Sequence, residues 1–167
     1  MVNAEKFELD GLRFQVTTEP DNSSEAPWVE GRTLGAVRMI GHKSDKLPGE
    51  MIFAMTRSGA RYAYDFAGAV KKARSEGLSG PNAVKAAYGE MAWFRGYLEE
   101  DWYYVVVCVE LLTIHDEPTG ECEYLGRVES SSSDYILEVA CQLAGQLAMQ
   151  YEGVTAIEKP SLQIRAV

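Results

Sequence analysis

Residues 102–112 read WYYVVVCVELL. Odd and even positions are apolar alike, so a strand here is buried on both faces, or nearly so, and sits in the centre of a sheet. The run is strand-length and far short of the 18 or more apolar residues of a membrane span. His115 to Gly120 (HDEPTG) is turn chemistry, and Glu121 to Glu129 then alternates. Cys122, Tyr124, Gly126 and Val128 fall on one face. Glu121, Glu123, Leu125, Arg127 and Glu129 fall on the other. The two runs predict a β-hairpin.

After this hairpin, Ser130 to Ser133 reads as a polar joint that caps a last helix, with Asp134 in its first turn. Ile136, Ala140, Leu143 and Leu147, with Leu137, Ala144, Ala148 and Tyr151, mark its buried face. Residues 160–167 read as a tail or an edge strand.

Before the central run, Asp10-Gly11 between Phe7–Leu9 and Leu12–Thr17 is a hairpin signal. Residues 19–33, with two prolines, Asn and Gly, read as a surface loop that Trp28 anchors. Short strands are expected at Ala36–Ile40 and Met51–Met55, separated by turn chemistry at Lys43–Glu50. Asp65 is placed to cap a helix from Phe66 to Glu76, with Gly77 as its stop. Phe66, Ala69, Val70 and Ala73 form its inner face, and Lys71, Lys72 and Arg74 its outer one. A second helix opens at Gly80-Pro81, with Val84, Ala87, Tyr88, Met91, Phe94 and Leu98 as its apolar stripe. Strands and helices are segregated. The expectation is one α+β domain over residues 1–167, a mostly antiparallel sheet with about three helices packed on one face.

The net charge is −9 and is unevenly spread. Residues 1–60 hold nine acids and seven bases, residues 61–98 three and six, and residues 99–167 thirteen and three. That sign asymmetry points to a partner or a long-range field. It disfavours direct nucleic-acid binding by the C-terminal part, where phosphates are repelled. The first residues, MVNAEKFELDG, carry no apolar secretory core, and a cytoplasmic location is expected. Three widely spaced cysteines (Cys108, Cys122, Cys141) without a CxxC read as reduced, buried thiols.

Each candidate for chemistry has a plainer reading. The loop GLSGPNAVK (77–85) enters a helix N-terminus, where anions bind, yet it lacks the GxxxxGK[ST] pattern, and a helix–helix turn explains its glycines fully. His115, Asp116 and Glu117 are consecutive and have no matching second ligand pair, so no metal or other cofactor is expected. No GxSxG is present, and Cys108, inside the central strand, is expected to be inert. Glu99, Glu100 and Asp101 read as a solvated helix end, at the unfavourable pole of its dipole. The hairpin's outer face is more distinctive. Glu121, Glu123 and Glu129 surround Arg127 there, with Asp116 and Glu117 at the tip and Asp134 and Glu138 on the following helix. Carboxylates two residues apart on a strand stand roughly 6.8 Å apart, about two phosphate steps of one DNA strand at ~3.4 Å each. This predicts an acidic ridge able to occupy the positive groove of a nucleic-acid enzyme. The plainer alternative is an acidic, solubilising face.

Three stretches also look familiar together: YDFAGAVKKARSEG (64–77), MAWFRGYLEEDWYYVVVCV (91–109) and LGRVESSSSDYILEVACQLAGQL (125–147). Asp65, Phe66, Asp101, Trp102, Tyr104, Val128, Glu129, Ser130, Asp134 and Tyr135 carry the pattern. It resembles a family of small proteins encoded by phages and other mobile elements, mostly without assigned function. The resemblance spans roughly residues 50–150. It departs inside the valine strand, where the family has a glycine, and in the loop before Trp102, which the family keeps more polar. It implies a mobile-element setting and supplies no active site.

The expected function is therefore a non-enzymatic accessory protein in a bacterial host. It would bind a host protein, such as a restriction or CRISPR enzyme, through Asp116, Glu117, Glu121, Glu123, Glu129, Asp134 and Glu138. Two alternatives stand beside it. One is a small nucleotide-binding enzyme using loop 77–85 with Lys71, Lys72 and Arg74. The other is an assembly protein that dimerises through sheet edges.

Overall fold

The computed structural model describes residues 5–57 and 59–152. They form β1 (Glu5–Leu9), β2 (Leu12–Pro20), α1 (Pro27–Glu30), β3 (Val37–Ile40), a 3-10 turn (Lys43–Asp45), β4 (Glu50–Met55) and β5 (Arg61–Asp65). Then come α2 (Phe66–Ser75), α3 (Gly80–Leu98), β6 (Tyr104–Leu112), β7 (Pro118–Glu129) and α4 (Ser133–Glu152). The class is α+β, and every strand pairing is antiparallel. The expected single sheet is instead two sheets, and the described residues gather into two compact units. Residues 5–24 and 103–152 make the first, and residues 25–102 the second. The expected edge strand at 160–167 and the side chain of Tyr151 lie outside the described residues. No helix among them is long and apolar enough to cross a membrane.

The first unit is a four-stranded sheet in the order β1-β2-β6-β7, with α4 on one face. Asp10 (φ 52°) and Gly11 (φ 79°) make the β1–β2 turn. Two successive positive φ values match the right-handed twist of the flanking strands, and Asp-Gly tolerates them. β6 is an inner strand, as its sequence requires, but its burial alternates. Val105, Val107 and Val109 are buried in the α4 core, whereas Tyr104, Val106, Cys108 and Glu110 are half-buried. One face is therefore closed and the other half covered. Across the core, Phe14 and Val16 of β2 and Val128 of β7 meet Val139, Leu143 and Leu147 of α4.

The second unit pairs β3-β5-β4 and packs α2 and α3 on a core of Phe53, Tyr64, Ala69, Ala87, Met91 and Phe94. The Asp65 carboxylate accepts the Gly68 N–H at 2.9 Å, so the expected cap forms. Gly77 takes φ 99° just past α2, where a side chain would be strained. The inner stripe of α3 is Ala83, Ala87, Met91 and Phe94. Val84 and Tyr88, expected inside, are 38% and 48% exposed, because the buried stripe runs through Ala83 and Ala87, each one position earlier. β5 was not anticipated. Its last residue, Asp65, doubles as the helix cap and masks the strand before it.

Residues 19–33 are less of a loop than expected. β2 continues to Pro20, and Pro27–Glu30 forms a helical turn. Trp28 packs edge-on against Phe94 (5.6 Å between ring centres) and Tyr97 (5.7 Å), which makes it an anchor. Two carboxylates lock this unit. Glu90 accepts the Leu34 N–H at 2.7 Å, the Gly35 N–H at 3.0 Å and the Tyr64 hydroxyl at 2.6 Å. Glu50 accepts a forked pair of bonds from Arg38 at 2.7 and 2.9 Å and the Leu47 N–H at 2.7 Å.

Candidate functional site: the acidic hairpin and helix of the first unit

The charge asymmetry follows the units. Residues 25–102 carry ten acids and eleven bases, a net +1. The rest of the chain carries fifteen acids and five bases, a net −10. The acidic candidates lie on β7, the tip before it and α4, all within the first unit.

They do not form one ridge. Val105 faces Val128, Val107 faces Leu125 and Val109 faces Glu123 across the β6–β7 ladder. Three β7 residues therefore span what two β6 residues span, which is a β-bulge at Gly126-Arg127. Arg127 takes φ 59° there. Beyond the bulge the alternation changes sign. Glu123 and Leu125 share the α4 side with Val128, and Glu129 shares the opposite side with Tyr104. The expectation that Glu121, Glu123 and Glu129 stand on one face is corrected: an extra residue in an alternating strand turns all later side chains over.

The bulge has a built support. Asp21 accepts the Arg127 N–H at 3.0 Å. The same carboxylate caps its own turn, accepting the Ser23 hydroxyl at 2.6 Å and the Ser24 hydroxyl at 2.7 Å. Those hydroxyl bonds, then the N–H groups of Arg127 and Ser23, hold the Asp21 carboxyl far below the usual carboxylate range against the opposing effect of burial. A Cβ on Gly126 would lie 2.8 Å from the Asp21 carboxylate, so glycine is required by close approach.

Asp116 also leaves the ridge. Its carboxylate sits 2.9 Å from the Arg13 guanidinium and 3.6 Å from the Lys6 ammonium, at positive φ (63°) in the β6–β7 turn. Both cations come from β1 and β2, so the tip is tied to the neighbouring hairpin and its first acid is neutralised. Glu117 and Glu121 are exposed beside it. Glu123 accepts from the Gln150 amide of α4 at 3.1 Å.

The remaining candidates gather elsewhere. Glu129 ends β7 and accepts the Ser131 hydroxyl. Asp134 and Glu138 are exposed, one turn apart at the start of α4, and Glu138 accepts from Gln142 at 3.3 Å. α4 runs back along the sheet. From Asp134 to Gln150 the helix rises about 24 Å at ~1.5 Å per residue. The acids thus form two poles: Glu117, Glu121 and Glu123 toward the hairpin tip, and Glu129, Asp134 and Glu138 at the opposite end. Asp21, Lys6 and Arg13, which shape the site, were missed. The one available signal was Gly126, a glycine inside an alternating strand.

The other candidates resolve simply. Loop 77–79 is a tight turn between α2 and α3, and Lys72, assigned to an anion site, donates instead to the Thr33 carbonyl at 2.6 Å. Cys108, expected inside a closed core, is half-buried, and Cys122 is exposed. Among the described residues, no group of three or more His, Cys, Asp or Glu is placed to hold a metal ion. Comparison with protein-family models, with curated proteins and with solved structures returns no significant match.

Proposed function

We propose that this chain is a non-enzymatic binding protein whose acidic first unit docks on a basic protein surface. The observation that supports it is the partition of charge: −10 outside residues 25–102 against +1 within them. The acids sit on a paired hairpin and a packed helix, so a partner meets them with little ordering cost. A single-sign field speeds encounter with a cationic surface and repels nucleic acid itself. The partner class is a protein with a basic, phosphate-binding groove, such as a nucleic-acid-handling or defence enzyme of a bacterial host. The mobile-element setting implied by residues 64–147 suits such a role. The bulge narrows the phosphate-mimic idea: recognition through two separated poles replaces an unbroken row of carboxylates.

The test is capture from bacterial lysate on immobilised full-length chain at about 0.1 M and about 1 M salt, where the screening length falls from ~10 to ~3 Å. A basic protein retained only at the lower salt supports the reading. Capture that ignores salt, or that persists after both poles are reversed to lysine, removes it.

A further inference from the structure

The β6–β7 ladder brings two thiols together. Cys108 faces Tyr124 and Glu110 faces Cys122, so Cys108 and Cys122 are diagonal neighbours on the sheet face opposite α4. Diagonal cross-strand neighbours bring their side chains within reach of each other, and Thr17 faces Cys108 from β2 on the other flank. The two thiols differ in access: Cys122 is exposed and Cys108 half-buried. We propose that Cys108 and Cys122 form a dithiol site that hydrogen peroxide oxidises to a disulfide, which a thiol reductant reverses, stapling the acidic hairpin.

The chemistry balances with the peroxide as the only oxidant. The Cys122 thiolate attacks one peroxide oxygen, the O–O bond breaks, and the departing hydroxide takes a proton to become water. Cys122 is then a sulfenic acid. The Cys108 thiol gives its proton to solvent base and its sulfur attacks the Cys122 sulfur. The S–O bond breaks and the hydroxide leaves as a second water. Two thiols become one disulfide, and one peroxide becomes two waters. The order of attack follows from access, since peroxide reaches the exposed sulfur first. Burial, and then Cys122 beside it, pushes the Cys108 thiol up, which suits the resolving role.

A disulfide needs Cα atoms within about 7 Å, and diagonal cross-strand neighbours stand about 7–8 Å apart with their Cβ atoms closer. The ladder supplies the small adjustment. Its register slips between Glu110 and Leu112, directly beside Cys122, so the regular pairing that would resist a small shift of Cys122 ends there. Cys141, on α4, is the internal control: half-buried, with burial pushing its thiol up.

The experiment treats reduced full-length chain with hydrogen peroxide, blocks free thiols with iodoacetamide and maps peptides by mass spectrometry. The expected result is a 108–122 link that dithiothreitol reverses, with Cys141 alkylated throughout. Cys108→Ser should leave Cys122 as a sulfenic acid that dimedone traps, and Cys141→Ser should leave the link unchanged. Wild-type chain with Cys108 and Cys122 both alkylated after peroxide overturns the proposal. So does over-oxidation of Cys122 without a link, or a bond from Cys122 to Cys141 or to a second chain. The wild-type mapping needs no variant to fold.

Discussion

The Asp21 carboxylate, at the end of β2, accepts the backbone N–H of Arg127 in β7 at 3.0 Å. That bond holds the β7 bulge, and the bulge decides which acids face which way. Asp21→Asn removes the charge that five donors converge on, and Gly126→Ala forces a Cβ to within 2.8 Å of the same carboxylate. Both variants should lower Tm by several degrees at pH 7. In both, the amides from Gly126 to Glu129 should exchange faster with solvent.

The same carboxylate gives a pH signature. The folded state holds Asp21 well below its usual range, so its contribution is present above the unfolded value near 4 and is lost as the pH falls below that. Glu50 behaves alike. The Arg38 fork, foremost, holds its carboxyl down against desolvation. Thermal melts from pH 7 to pH 2 should show Tm falling most steeply below about pH 4.5. In Asp21→Asn the fall should be shallower. A parallel fall in both proteins would remove Asp21 from this account.

In the second unit, Glu90, Tyr64 and Gly35 act together. Tyr64→Phe leaves the Glu90 carboxylate one donor short and should cost about 1.5–3 kcal/mol, the range for a hydrogen bond to a charged group. Denaturant melts of Tyr64→Phe, Glu90→Gln and the double variant should give a coupling energy on the order of 1 kcal/mol. Desolvation, and then Glu90, pushes the Tyr64 phenol far above its ordinary value. Its contribution therefore stays whole up to about pH 10 and is lost as the pH rises further. Gly35→Ala puts a Cβ 2.6 Å from the Tyr64 ring and 2.7 Å from the Asp65 carbonyl oxygen. It should destabilise by about 1–3 kcal/mol, as overpacking does.

Local chemistry was legible where one residue type meets one geometric demand. Asp10-Gly11, Asp65 before α2, Pro81 at the start of α3 and Gly77 past α2 all read correctly, because caps and positive-φ turns are short-range. What failed was long-range. β2 pairs with β6 across the whole second unit, so Pro20 opposite Val105 leaves no local trace, and two sheets read as one. The bulge failed for another reason. Arg127 at positive φ is a conformation its side chain does not advertise, and its support, Asp21, is distant in sequence. Glu121, Glu123 and Glu129 read as one face only on the strength of an alternation that breaks at that residue.

The two acidic poles should be separable. Reversing Glu117 and Glu121 to lysine touches only exposed tip residues, and reversing Asp134 and Glu138 touches only the exposed start of α4. Neither pair should shift Tm by more than a few degrees, since surface substitutions stay within about 0.5 kcal/mol each. The pair that faces the partner should slow association, with a smaller change in dissociation.

The central claim is that recognition runs through the field of the first unit. Its most direct measurement is the association rate of the full-length chain with its captured partner, across salt from about 0.05 to about 0.5 M, for wild type and for each reversed pair. The account predicts a rate that falls steeply with salt in wild type and a shallower slope in at least one reversed pair. A rate that is flat with salt, or slopes that are identical in all three proteins, would contradict it.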